Sequence, residues 1–385
     1  MYVQDTRKIQ DKFASIAESL IEYNYLDEDV IFNIDNEIET SFDLDRFKEL
    51  TKDYFAKAQE EKLDLTLERI KIIFEVKGVV NSVQDFEDEA SFALTSDLID
   101  LTKILKAEEF NQNPYISNIN KIDYVDSSSH EFENLELEPV TLIKADVSVA
   151  PNGYRALPQL GFFEEKVFIP QLLNFKNNTF KQVSPKEINA TQKHIDAAHG
   201  KVLNIGLGMG YFAFMASLKD DVEKVTIIEQ DNELIEFFKE HLLPHFSHRG
   251  KIEIINSTYY DYLKNITDNQ FDYCFIDVDE GTTDLRRYLP GFLLFKTICK
   301  KFKKMEVSFF LEAEFKILLT NVLIMVVYAN YKKSVENYAD LTELEIDEED
   351  KTTFDFIDYV YKKVKIKDPS DFDYYINYKT LIKML

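Results

Sequence analysis

The sequence predicts an α/β protein built around a doubly wound, mostly parallel sheet. Three observations predict it. Residues 201–285 alternate short apolar runs with helix-period stretches. Those apolar runs are continuous, as in strands covered on both faces. In addition, three of the chain's ten glycines fall within five residues of VLNIGLGMGYFAFMASL (Val202–Leu218), where one such run feeds a helix.

Taken in order, residues 1–110 read as mostly helical. DLDRFKELTKDYFAKAQEEKLDLTLERIKIIFEV sets apolar residues at three- and four-residue spacing, and glycine is absent until Gly78. From 115 to 183 the pattern changes, and PVTLIKADVSV and EKVFIPQLL read as strands. SPKEINATQKHIDAAHG then opens on Ser184, Pro185 and Glu187, a capping box with proline at the first helical position. Gly200 is the expected helix stop.

The alternating block follows. KVLNIG, KVTIIEQ, KIEIIN and FDYCFIDV are expected strands, and YFAFMASLKD, NELIEFFKEHLLPHF and TYYDYLKNI the helices between them. Right-handed crossovers would make their sheet parallel. EVSFFLE (Glu306–Glu312) adds a fifth strand. ILLTNVLIMVVYANY (Ile317–Tyr331), interrupted by Thr320, Asn321 and Asn330, is a buried helix or strand rather than a membrane span. ENYADLTELEIDEED and FDFIDYVYKKV read as a helical, acidic end.

Composition narrows the function. The 385 residues carry a net charge of −25, and residues 1–100 hold 25 Asp/Glu against 11 Lys/Arg. Nucleic acid is not an expected partner, because a phosphate-tracking surface needs clustered cations. KKFKK (Lys300–Lys304) is too small a cluster to supply one. No membrane partner is expected either. The acidity serves solubility first, with attraction of a cationic substrate as the sharper alternative. Cys274 and Cys299 both sit in apolar segments, as reduced core residues of a cytoplasmic protein would, and MYVQDTRKIQDKFASIAESL lacks a signal-peptide pattern.

A glycine turn between strand and helix lets the backbone approach a ligand closely. About twenty residues on, TIIEQD ends a second strand on Glu229, whose carboxylate can accept hydrogen bonds from ribose hydroxyls. Together they point to an adenosine-containing cofactor. NAD prefers G-x-G-x-x-G, whose last glycine position is filled here by Tyr211. A phosphate-binding P-loop is excluded, since no Gly-Lys-Ser/Thr follows.

The G-x-G-x-G spacing resembles motif I of the class I S-adenosylmethionine-dependent methyltransferases, and the resemblance runs through residues 200–285. It implies a Rossmann-like doubly wound sheet of the class I methyltransferase type, with S-adenosylmethionine as cofactor. Carried over by position, Gly206, Leu207, Gly208 and Gly210 would pass under the donor, and Glu229 and Gln230 would hold the ribose. Ser257, Thr258 and Tyr259 would lie near the adenine, with Ser257 and Thr258 where the family usually has an aspartate. The block is most similar to the spermidine synthase branch. That branch carries an acid in the glycine loop, where this chain has Met209, and an Asp-Ser-Ser/Thr-Asp-Pro run where this chain has DVDEG.

Methyl transfer is an in-line displacement that needs alignment and at most one general base. Asp277, at the end of the fourth strand, is the first candidate base, followed by Asp279 and Glu280. His241, His245 and His248 lack metal-ligand spacing, so no metal is expected. The resulting division is a helical acidic N-terminal domain (1–114) and a strand-rich connecting segment (115–183). An S-adenosylmethionine-binding domain (184–312) and a helical C-terminal extension (313–385) complete it. The expected function is methyl transfer to a small molecule or protein. Aminopropyl transfer to a cationic acceptor is the second reading and a non-catalytic binding protein the third. A homo-oligomer is left open.

Overall fold

Helix-period spacing at the start of the chain forms helices. The computed structural model describes residues 1–21, 44–83, 96–149, 153, 156–176, 179–278, 294–331, 358, 360, 362–377 and 380–381. The stretch ENYADLTELEIDEED, Asp279 and Glu280 lie outside the described residues. After the short strand β1 (Tyr2–Val3), helix α1 (Arg7–Ile21) buries Ile9, Phe13 and Ile16, one face at helical spacing. Helices α2 (Leu44–Glu60) and α3 (Leu67–Val83) follow, with Phe47, Ile72 and Val76 in a shared core.

Strand β2 (Thr102–Leu105) leads to two short helices, α4 (Ala107–Gln112) and α5 (Pro114–Ile119). Asn113 caps α5 by accepting from the Tyr115 N–H at 2.9 Å, and Pro114 occupies the position where no N–H is needed. Six strands come next: β3 (Val125–Asp126), β4 (His130–Leu137), β5 (Ile143–Val149), β6 (Ala156–Phe163), β7 (Val167–Asn174) and β8 (Thr179–Gln182). Together with β2 they form a three-stranded sheet ordered β2-β6-β5 and a four-stranded antiparallel sheet ordered β3-β4-β7-β8.

Helix α6 (Pro185–Ala197) then leads into the parallel sheet. Its strands are β9 (Gly200–Ile205), β10 (Val222–Glu229), β11 (Ile252–Asn256), β12 (Tyr273–Ile276) and β13 (Glu306–Phe309), in the order β11-β10-β9-β12-β13. Every pairing in this sheet is parallel. Helices α7 (Tyr211–Ser217), α8 (Asn232–Phe237) and α9 (Tyr259–Asn265) provide crossovers. This is the mixed α/β, doubly wound arrangement that the apolar strands predict.

Alternation within the strands shows why those runs had to be continuous. Val202, Val225, Ile227, Tyr273 and Phe275 face one core, while Leu203, Ile205, Ile228, Cys274 and Ile276 face the other. The second core is closed by helix α10 (Glu312–Tyr331), whose Phe315, Leu319, Leu323 and Val327 recur every fourth residue and are buried. The apolar segment is therefore a buried helix. Among the described residues no helix is long and apolar enough to cross a membrane. Ile9, Phe13 and Ile16 of α1 pack in this same core, together with Phe372 of helix α11 (Pro369–Tyr375). Beside it, β1 pairs in parallel with β14 (Lys365–Ile366).

Three local expectations are corrected. Gly200 does not stop α6: the helix ends at Ala197, and Gly200 opens β9 at φ +60°, where a β-carbon would strike the Asp272 carboxylate. The long helix read over NELIEFFKEHLLPHF is α-helical only to Phe237. A π turn (Phe238–Leu242) and a 3-10 turn (Leu243–His245) follow, because Pro244 cannot donate to an α-helical ladder. The capping box at Ser184 is half formed. Ser184 Oγ accepts from the Glu187 N–H at 3.4 Å, but the Glu187 carboxylate turns to the Thr191 hydroxyl, also at 3.4 Å.

Candidate functional site

In an open parallel sheet the crevice lies outside the carboxyl ends of the strands, where the winding reverses. Here the chain leaves β9 toward β10 on one side and later returns to β12 on the other. The glycine loop sits at that reversal. Gly206, Gly208 and Gly210 all have positive φ, at +96°, +51° and +74°, a conformation that costs an L residue about 1–2 kcal/mol.

The three glycines answer to different neighbours. A β-carbon on Gly206 would collide with the main-chain oxygen of Asp277, so this glycine lets β9 and β12 close together. One on Gly210 would fall 2.7 Å from the Phe238 ring and 3.1 Å from that of Phe246, so this glycine seats α7 on the core. One on Gly208 would meet only the Asp277 carboxylate, at 3.8 Å. Among the described residues, packing gives no reason for a missing side chain at Gly208; its positive φ does.

Several bonds hold the loop. The Gly206 N–H donates to the Ile228 oxygen at 2.9 Å, and Asn204 Nδ2 donates to the Gly206 oxygen at 2.8 Å. Tyr115, fully buried, donates its hydroxyl to the Met209 oxygen at 2.6 Å. Its ring stands edge-on to Tyr211, and Tyr211 accepts from Asn113 Nδ2 at 3.3 Å. Burial pushes the Tyr115 phenol well above its ordinary range and that of Tyr211 up to about 12. Both stay protonated as loop struts. Leu207 and Met209 turn into the core. The loop position that is acidic in the spermidine synthase branch thus holds a side chain pointing away from the crevice.

Glu229 is fixed by main-chain donors. Its Oε1 accepts from the N–H groups of Gln230 (2.7 Å) and Asp231 (2.8 Å), and its Oε2 accepts from Leu207 (3.1 Å). A carboxylate offers about four lone-pair sites, so these three bonds leave one, on Oε2. Gln230 is exposed at the rim.

Ser257 stands beside Glu229, its N–H donating to the Glu229 oxygen at 3.0 Å. Its hydroxyl donates to the Thr258 oxygen. Thr258 caps α9, accepting from the Asp261 N–H at 3.2 Å and donating to the Asp261 carboxylate at 2.9 Å. That alcohol is committed to its own helix. Tyr259 is half-buried, with its ring 4.3 Å from that of Tyr260. Asp277 is half-buried over Gly208, its N–H on the Ile205 oxygen at 2.8 Å.

Sequence reasoning missed Glu187. Burial, first, and the nearby Asp277 charge, second, push its carboxyl up to about 8, while Lys181, Lys186 and the Thr191 hydroxyl pull the other way. Tyr115 and Tyr211 both lie within reach of its charge. Glu187, at the start of α6, thus lies close enough to Asp277 for their charges to interact. No set of His, Cys, Asp and Glu among the described residues could hold a metal ion.

No family model matches the chain, and no curated protein matches it. Among solved structures it is similar to a spermidine synthase in complex with the transition state analogue AdoDATO. The TM-score is 0.25 and the identity 18%, over 42% of this chain and 47% of that one. It is also similar to the spermidine synthase from Thermotoga maritima, with a TM-score of 0.27 and 16% identity over 45% and 67% of the two chains. The chain thus spans less than half of the first of these. The fold assignment rests on strand order and pairing, not on these likenesses.

Proposed function

We propose that this chain is a transferase that binds an adenosyl sulfonium of the S-adenosylmethionine type and passes one of its alkyl groups to an acceptor. The observation that carries the reading is Gly208. It is a positive-φ glycine at the reversal point of the sheet, where a β-carbon would meet, among the described residues, only the Asp277 carboxylate, at 3.8 Å. The residues present suit such a ligand. Gly208 leaves a shelf for an aliphatic chain and sulfur, and Oε2 of Glu229 offers an acceptor to a ribose hydroxyl.

When bound, the sulfonium supplies an activated carbon whose bond to sulfur breaks with both electrons returning to sulfur. The chain's residues then need only orient and exclude water. The loop, held by Ile228, Asn204 and Tyr115, fixes the donor's position. Asp277, at the end of β12 beside Gly208, is the candidate to take the acceptor's proton.

Aminopropyl transfer to a cationic amine is the second reading, with Asp277 as the candidate amine contact; Glu187, its carboxyl pushed up to about 8 by burial, adds no charge at pH 7. Met209 in the loop supplies no acid to help it.

Calorimetry with S-adenosylmethionine, S-adenosylhomocysteine, decarboxylated S-adenosylmethionine and NAD tests the reading. Adenosyl sulfur compounds are expected to bind and NAD is not. Gly208→Val should weaken their binding at least about tenfold, equivalent to roughly 1.4 kcal/mol. Tighter binding of the decarboxylated donor assigns aminopropyl transfer. If none of the three adenosyl compounds binds, the proposal is wrong.

A further inference from the structure

His130 opens β4 in the four-stranded sheet, yet its ring lies against the turn that follows Glu229 at the end of β10. Its Nδ1 is 2.9 Å from the Ser129 hydroxyl. Its Nε2 has no hydrogen-bond partner among the described residues and stands 4.0 Å from Asp231 Oδ2. The residue is only 1% exposed, so bulk water does not complete that nitrogen.

Asp231 is tied to both of its neighbours in the chain. Its N–H donates to Glu229 Oε1 at 2.8 Å, and its Oδ1 accepts from the N–H groups of Glu233 (2.9 Å) and Leu234 (3.2 Å). Oδ2 is the oxygen left toward the ring. Resting on the donor reading above, we infer that His130 is a positioning residue for Glu229: with a proton on Nε2 it pairs with Asp231 and latches the 229–231 turn to the small sheet.

The charged groups around the ring are Asp231 on the turn, Glu233 on α8 and Lys176 beyond the end of β7. Lys176 pairs with Glu233 at 2.6 Å, so Asp231 is the carboxylate that answers a cationic ring. The Phe237 ring of α8 covers the imidazole, its centroid 5.8 Å away. A carboxylate accepts hydrogen bonds and donates none, whereas the cationic ring donates from both nitrogens and can serve Ser129 and Asp231 together.

Burial, outweighing the opposing charges of Asp231 and Glu233, holds the ring's pKa below its ordinary 6.5. The ring is therefore neutral at pH 7, with the gap to Asp231 open, and the latch closes as pH falls below that range. A turn fixed from the second sheet has less motion to lose when Glu229 meets a ribose hydroxyl. Proton and adenosyl ligand then strengthen each other's binding by the same factor.

The probe is 5′-methylthioadenosine, an adenosyl thioether with no amino-acid group to titrate. Its affinity should rise about threefold from about pH 7.5 to about pH 5.5, with uptake of a fraction of a proton, read by calorimetry in buffers of different ionisation enthalpy. His130→Gln puts an uncharged polar group in the ring's place and should flatten the profile. Asp231→Asn keeps a good helix cap and offers an amide that can donate to the neutral ring. It should flatten the profile too, while binding at about pH 7.5 at least as tightly as the parent. In the ligand-free protein, NMR should find His130 titrating below 6.5, and lower still in Asp231→Asn. A flat parental profile, one that stays as steep in both variants, or a His130 midpoint that Asp231→Asn leaves unmoved overturns the inference and leaves the donor reading standing. Failure of the probe to bind at any pH overturns both.

Discussion

The main-chain oxygen of Asp277 closes against the α-carbon of Gly206, leaving no room for a side chain, while its carboxylate leaves Gly208 open. One residue thus explains one glycine by packing and leaves the other to its backbone conformation. The two glycines are expected to fail differently. Gly206→Ala should cost several kcal/mol, about 1–2 from the backbone conformation and more from the clash, and lower the melting temperature. Gly208→Ala should keep the fold within about 1–2 kcal/mol yet lose adenosyl ligand affinity. Thermal melts with calorimetry on both variants check this, and equal destabilisation would contradict the division of roles.

Tyr115→Phe removes a buried donor and leaves the Met209 oxygen without its partner. The expected loss is about 1–3 kcal/mol, read from denaturant midpoints. Ligand affinity should fall as well, because the loop loses a strut. A variant as stable and as tight-binding as the parent would show that the hydroxyl does not hold the loop.

Glu75, fully buried on α3, has no hydrogen-bond partner for either carboxylate oxygen among the described residues. Burial pushes its carboxyl up to about 8. The folded state therefore keeps a proton that the unfolded chain releases above about pH 4.5, so stability should fall as pH rises from there to about 8. Glu75→Gln should flatten that slope by one group, about 1.4 kcal/mol per pH unit at most. Glu75→Leu should stabilise the protein at pH 7 by about 1–3 kcal/mol.

On the acid side, His194 is held neutral. It is buried 4.8 Å from the Phe275 ring, its Nδ1 2.9 Å from the Ser308 hydroxyl, which also contacts Tyr273. Burial lowers its pKa to about 3. The unfolded chain takes up this proton near pH 6.5 and the folded chain does not, so stability should drain away between about 6.5 and 3 as pH falls. His194→Phe removes that loss, and acid unfolding followed by circular dichroism should shift to lower pH.

The loop and Glu229 were legible in the sequence because their signals are local: glycine spacing, an apolar run before it, an acid after the next one. The parallel order was legible for the same reason, each strand announcing itself by its length and apolarity. Glu187 was not. Its surroundings spell a helix cap, and its partner Asp277 reaches it only once β12 has been laid beside β9. Gly200 misled in the same way, standing where a helix stop belongs but kept small by Asp272. Nor could the pattern divide the three loop glycines by purpose, since Phe238, Phe246 and Asp277 come from other elements.

The pairing of Tyr2–Val3 with Lys365–Ile366 has a consequence for how the molecule is made. Phe13 of α1 rests against Tyr328 and Tyr331 of α10 and Phe372 of α11, so α1 docks only once those distant helices are in place. Contacts between such remote segments form late and slowly. Removing either α1 or α11 should expose the same apolar underside.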